Sequence, residues 1–255
     1  MPHVLLDGAA DARLQAMAAL LEAAEMPTAA ELDALRGCLG DPRKLIQRRA
    51  AETLASLAAR GVDVANLLRT TLQGGELNRR WGAAYALSLS GGLTLAALPT
   101  LLEVMGLDDG DLRWAASELI KQLATADRGA VVAAVIGAAR APGAQRKMAL
   151  YCLRDLAVSE ASDVALDALA DANLETRLAA LALLAKVHGN ADSAAARIAA
   201  LIDDPDPRMQ RTAAATLGDL GVRSSAVLEV LQRAHARDDP SLRRAAARSL
   251  KTLAG

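Results

Sequence analysis

The sequence predicts an all-α solenoid, a chain of helix pairs stacked in order. Three observations predict it. The stretch Arg80-Trp81-Gly82-Ala83-Ala84-Tyr85-Ala86-Leu87 is written again 33 residues later as Arg113-Trp114-Ala115-Ala116-Ser117-Glu118-Leu119-Ile120. Stepping by about that length recovers one register led by Arg13, Gln47, Arg80, Arg113, Arg146, Arg177, Gln210 and Arg243. Three positions after each lead stands alanine, and seven positions after it leucine or isoleucine, as in Ala50 and Leu54 or Ala213 and Leu217. Self-similarity at a fixed period of this size marks a stack of supersecondary units, each burying its neighbour's apolar face.

Composition agrees. The chain has 255 residues, 53% of them hydrophobic, but aromatics make up only 2% and phenylalanine is absent. Small aliphatic side chains suit closely paired helices, whereas a compact globule of this size fills its centre with larger ones. On the helix carrying the register, positions +3, +4, +7 and +10 share a face at 100° per residue. In the second copy they are Ala50, Ala51, Leu54 and Leu57, opposite Arg48, Glu52 and Ser56.

The elements follow in order. A first helix is expected from near Asp7 to about Glu25, stopped by Pro27, and Thr28 with Glu31 reads as a capping box for its partner to about Leu39. Asp41-Pro42 opens the second repeat, with Asp as cap and Pro in the first turn. Its partner runs from about Val62 to Leu72 and ends at Gly74-Gly75. The third repeat's partner follows Gly91-Gly92, with Pro99 marking its first turn or a kink. The fourth starts after Asp108-Asp109-Gly110 and has its partner at about Gly129–Arg140. Repeats five, six and seven have partners at about Ser159–Ala170, Asp192–Ile202 and Ser224–Ala236. One last helix, Leu242–Leu253, has no partner after it, and Arg243, Arg244, Arg248 and Lys251 give it the polar flank of an end cap. Repeats thus begin near 7, 41, 74, 107, 144, 171, 204 and 239, within one domain over 1–255.

The pattern Asp-Pro, then apolar-Arg-x-x-Ala-Ala, then Leu seven after the Arg, resembles the HEAT repeat, and most closely the short bacterial variety of phycobilisome-lyase proteins. Residues 204–218, from Asp204-Pro205-Asp206-Pro207 to Leu217-Gly218, carry it nearly throughout. The resemblance covers essentially the whole chain. It implies a right-handed superhelix of about seven and a half HEAT-like helix pairs, with the Arg-led helices lining the concave side. It also implies a ladder between each lead residue and an Asp six positions earlier. Asp7, Asp41, Asp171 and Asp204 fit, while Gly74, Leu107, Arg140 and Arg237 depart from it.

Function is less legible. A net charge of −1 excludes a uniformly basic nucleic-acid coat. Residues 1–40 nevertheless carry −4 and residues 207–255 carry +5, either ordinary surface variation or an acidic head and basic tail that orient a partner. Cys38 and Cys152 lie in distant repeats and read as small buried hydrophobes, not a disulfide. Neither a secretory signal nor a membrane-spanning run is evident, and the expectation is a soluble cytoplasmic protein.

The four aromatics are the sharpest signal. Trp81 and Trp114 stand at +1, Tyr85 and Tyr151 at +5, away from the Ala/Leu stripe and within three consecutive repeats. With Glu118, Lys147 and Arg154, and Lys121 at the edge, they read as an outward-facing patch that grips a protein segment. A structural reading of the same residues has Trp81 and Trp114 covering one another, one repeat and about 10 Å apart. Nucleic acid is an alternative partner, since HEAT-like DNA glycosylases use a Trp and a carboxylate on such a face, and Trp114 with Glu118 is the similar pair. A bilin-lyase-like or tetrapyrrole-binding role is a further alternative that fold analogy alone brings. No catalytic group, cofactor or metal site is expected: His3, His188 and His235 stand far apart, and the His-Glu pairs that deoxyhypusine hydroxylase needs for its iron are missing.

Overall fold

The computed structural model describes residues 1–187 and 189–255; His188 lies outside the described residues. Among them the chain is all helix and turn, with sixteen α-helices and no strand. It divides into two compact units, Met1–Val131 and Val132–Gly255.

The first unit opens with α1 (Pro2–Asp7) and α2 (Ala10–Glu22) in place of the single helix expected from near Asp7. The break falls at Gly8, whose extended backbone lets α1 turn back onto α3 (Ala29–Cys38) and bury Leu5. Thr28 caps α3 by the expected box: its hydroxyl accepts from the Glu31 N–H at 3.3 Å, and the Glu31 carboxylate accepts from the Thr28 N–H at 2.9 Å. Then follow α4 (Lys44–Ala59), α5 (Ala65–Leu72), α6 (Leu77–Leu89), α7 (Leu98–Val104) and α8 (Gly110–Ala126). Pro99 sits in the first turn of α7, where its missing N–H leaves no bond unmade. Asp41 does not cap α4. The cap position is Arg43, because the Asp41 carboxylate is already held by the Arg43 N–H and guanidinium and by Arg13.

After α9 (Arg128–Arg140), which crosses the division, the second unit holds α10 (Arg146–Asp155), α11 (Ser162–Ala168), α12 (Leu174–Leu184), α13 (Ala191–Ala200), α14 (Pro207–Leu220), α15 (Ser225–His235) and α16 (Pro240–Ala254). Asn173, Asp206, Ser224 and Asp239 cap α12, α14, α15 and α16 by accepting first-turn N–H bonds. Arg243, Arg244, Arg248 and Lys251 on α16 are exposed.

Within each unit the register does what periodicity implies. Ala50, Leu54, Ala83, Leu87, Ala116 and Ile120 are fully buried in the first unit, as are Ala149, Leu153, Ala180, Leu184, Ala213 and Leu217 in the second. Most of the lead side chains tie their repeat to its surroundings, though not by the intrarepeat ladder. They donate to carbonyls at the preceding turn: Gln47 to Leu39 (2.8 Å), Arg113 to Leu107 (2.7 Å), Arg177 to Asp171 (3.1 Å) and Gln210 to Asp204 (2.7 Å). The aspartates they reach belong to the following repeat: Arg13 to Asp41 at 2.5 Å, Arg146 to Asp171 at 2.7 Å, Arg177 to Asp204 at 3.5 Å. Six residues back along a turn, the lead side chain meets the carbonyl, because the Asp carboxylate there is turned to the lead of the preceding repeat.

Glycine replaces a larger residue where helices approach most closely. A Cβ on Gly82 of α6 would stand 2.5 Å from the Leu39 carbonyl oxygen and 2.8 Å from its Cβ. The helical Gly137 faces nothing within 4 Å. Gly82→Ala is therefore expected to lower stability by about 1–3 kcal/mol through overpacking, whereas Gly137→Ala raises it by up to about 1 kcal/mol through helix propensity. Urea denaturation of both variants checks the opposite signs.

Candidate functional site

The first unit carries an open trough of about 370 Å³ across three register helices. Lys44, Gln47 and Arg48 of α4 form one side; Asp111, Leu112 and Ala115 of α8 form the other; Trp81 and Tyr85 of α6 lie between. Trp81 and Tyr85 are one helical turn apart, so their rings meet on one face, stacked with centroids 5.9 Å apart at 22°.

Trp81 corrects the expectation that it looks outward, for it is only 5% exposed. The reason is the company α6 keeps. Gly82 lets its backbone close on α3, and α4 packs along its flank, so the +1 position of this repeat faces a neighbouring helix instead of solvent. Its indole forms part of the trough's wall. Tyr85, beside it, is half-buried. Trp114 at the same register position is 46% exposed on α8; Glu118 one turn on is exposed too, and the partly covered Lys121 donates to it at 2.6 Å.

The rim is electrostatic and was missed in the sequence. Lys44 donates to Asp109 (2.7 Å) and Asp111 (3.2 Å), a bridge from the second repeat to the fourth that passes over the third. Each carboxylate stabilises the ammonium, which holds the Lys44 pKa above the usual lysine value; in return Lys44, with the first-turn N–H groups of α8, holds the Asp109 carboxyl below the usual range. Arg48 pairs with Glu52 at 2.9 Å, and that bond, with the nearby Tyr85 hydroxyl, raises its pKa. The register placed Lys44 three residues before one lead and Asp111 two before another, but no spacing rule joins positions two repeats apart.

A second cavity, of about 310 Å³, adjoins the first. It shares Lys44, Gln47 and Leu112 with the trough and is otherwise lined by Asp41, Asp108, Asp109 and Asn78, among others. The Gln47 amide donates to the Asn78 carbonyl at 2.9 Å, which fixes that part of the wall.

The remaining residues of the expected patch, Lys147, Tyr151 and Arg154, lie on α10 in the second unit and are each half-buried. Arg154 sits over the Tyr151 ring at 4.9 Å and donates to Asp155 at 2.7 Å. Burial, reinforced by Glu175, pushes the Tyr151 phenol up, against a smaller opposing effect of Arg154.

Among the described residues no group of three or more His, Cys, Asp or Glu could hold a metal ion, and no helix is long and apolar enough to cross a membrane.

Residues 162–251 match the family of HEAT repeats. The repeat pattern read in the sequence is thus a HEAT pattern over that stretch; the match does not single out the phycobilisome-lyase variety. No curated protein matches the sequence. Among solved structures, an engineered protein aligns over 100% of this chain and 77% of its own, at 19% identity and a TM-score of 0.51. Importin beta aligns over 99% of this chain and 40% of its own, at 13% identity and a TM-score of 0.60. Human deoxyhypusine hydroxylase in complex with glycerol aligns over 99% and 94%, at 16% identity and a TM-score of 0.40, too loose to argue from. The first two likenesses bear on fold, and both point to a helical repeat solenoid.

The Asp41 carboxyl is held below its usual value by the Arg43 guanidinium first, then by the Arg43 N–H and by Arg13. A depressed folded-state pKa gives stability that is present above the unfolded value of about 3.9 and is lost as pH falls through the folded value. Asp41→Asn is expected to cost about 2 kcal/mol at pH 7 by weakening charge-assisted bonds. The gap between variant and parent should shrink below about pH 4. Denaturant titrations at pH 7 and pH 3 read both effects.

Proposed function

We propose that this chain is a non-enzymatic interaction scaffold, and that the trough between α4, α6 and α8 grips an extended segment of a partner protein. One observation carries the reading. The stacked Trp81–Tyr85 pair borders an open trough whose rim bears both signs of charge. Rings held against one another in a stack are pre-ordered, so a ligand that covers them loses little of its gain to side-chain entropy. Trp114 and Glu118, exposed on the helix that forms one rim, extend the surface a segment would cross. Lys147, Tyr151 and Arg154 form a contact patch on the second unit, with the Tyr151 ring held by Arg154. HEAT repeats and a helical repeat architecture fit a scaffold of this kind.

The test is panning of a random peptide library on the purified protein. Trp114→Phe leaves Trp81 as the sole indole reporter. Selected peptides should change Trp81 emission, and Tyr85→Ala should weaken them at least tenfold while circular dichroism stays unchanged. Peptides that bind Tyr85→Ala and parent equally would place recognition elsewhere and end this reading.

A further inference from the structure

The trough and the cavity beside it meet at three shared side chains, of which Lys44 is the one least firmly held. Both cavities are lined by Lys44, Gln47 and Leu112. Gln47 is fixed by two carbonyl bonds, to Leu39 and Asn78. Among the described residues Lys44 is held by the Asp109 and Asp111 carboxylates, on a side chain that is itself more than half exposed. Exposed ion pairs of this kind are weak, worth at most a few-fold in an equilibrium. Swinging Lys44 aside widens the passage over Gln47 and Leu112, between the aromatic compartment and the one lined by Asp108 and Asp109.

The joined groove follows α6 from Asn78 to Tyr85, about 10 Å at 1.5 Å per residue. That is the reach of about three residues of extended chain. The Lys44 ammonium already lies on the two carboxylates, so the chemistry they hold is a primary cation. Of the other carboxylates lining the second cavity, Asp41 is saturated by Arg13 and Arg43, which leaves Asp108 beside Asp109.

Resting on the trough reading above, we infer that the groove takes an extended peptide of one chemical type. A Lys or Arg stands one to three positions from a flat apolar residue. The apolar residue lies against Trp81 and Tyr85, and the cation displaces Lys44 from Asp109 and Asp111. Nucleic acid is disfavoured at the same place, because its phosphates would meet these carboxylates. The released Lys44 turns to solvent, and no net charge is buried.

Three measurements on the full chain test this by calorimetry with the panned peptides. They should share a Lys or Arg near an apolar residue, and changing that cation to Gln should weaken binding by about three- to tenfold. Asp109→Asn with Asp111→Asn should weaken the Lys peptide by a similar factor and leave its Gln counterpart unchanged; Asn still caps α8. Lys44→Ala should tighten the Lys peptide about threefold, whereas Lys186→Ala, in the other unit, should not. Peptides that need Tyr85 but tolerate loss of their cation and of both carboxylates would overturn this inference and leave the trough reading standing. So would a selection enriched in Asp and Glu. If no selected peptide depends on Tyr85, both readings fall together.

Discussion

In most repeats the lead side chain supplies the bond on which the architecture rests. A helix leaves its last carbonyls unpaired, and a stack of short helices multiplies that debt at every turn. In this chain Gln47, Arg113, Arg177 and Gln210 satisfy carbonyls at the helix ends and in the turns that follow them, from the next register helix. Where a carboxylate of the following repeat is also in reach, as for Arg13, Arg146 and Arg177, one guanidinium fixes a turn and a neighbouring helix pair together. Glutamine can replace arginine because the carbonyl bond is the common requirement and the carboxylate bond is additional. That explains why Gln47 and Gln210 keep the register without a charge.

Given that frame, the pattern of small and large residues determines how near the helices come. Alanine at +3 is fully buried in most repeats, and leucine at +7 fills the space between layers. Two glycines go further. Gly82 brings α6 against the Leu39 carbonyl, and Gly218 brings α14 against Ser249, whose hydroxyl donates to the Ala214 carbonyl at 2.8 Å. The first of these closures carries Trp81 inward and so builds the trough; the second has no aromatic beside it and produces only tight packing.

The fold was legible because its determinants are local and recur. Helix class, the core face, the Thr28–Glu31 box and Pro99 in a first turn all follow from positions a few residues apart. Two misreadings have a common cause. Asp41 looked like a cap, and the ladder looked intrarepeat, because spacing along the chain says nothing of which arginine arrives from a neighbour. The site suffered most from this. Helical periodicity placed Trp81 on an outer face, but in a stack the outer face of one helix is the flank of the next. The Lys44 bridge to Asp109 and Asp111 joins residues more than 60 positions apart, and no motif announces it.

The consequence for function is that the recognisable residues and the decisive ones differ. Aromatics stand out in a chain with so few, yet a stacked indole and phenol would accept almost any apolar group. Selectivity has to come from the rim, where charge is placed by repeats that do not touch in sequence. The two rims carry opposite character: Lys44 and Arg48 on α4, Asp111 with Asp109 at the start of α8. Such a pair of edges distinguishes the two directions of a bound chain, which an apolar floor cannot do. The internal bridge between the edges also sets a threshold, because a partner has to supply a better cation than the one already there. Since such a bridge is worth only a few-fold, it would bias the trough toward occupants that bring a cation and would not exclude the others.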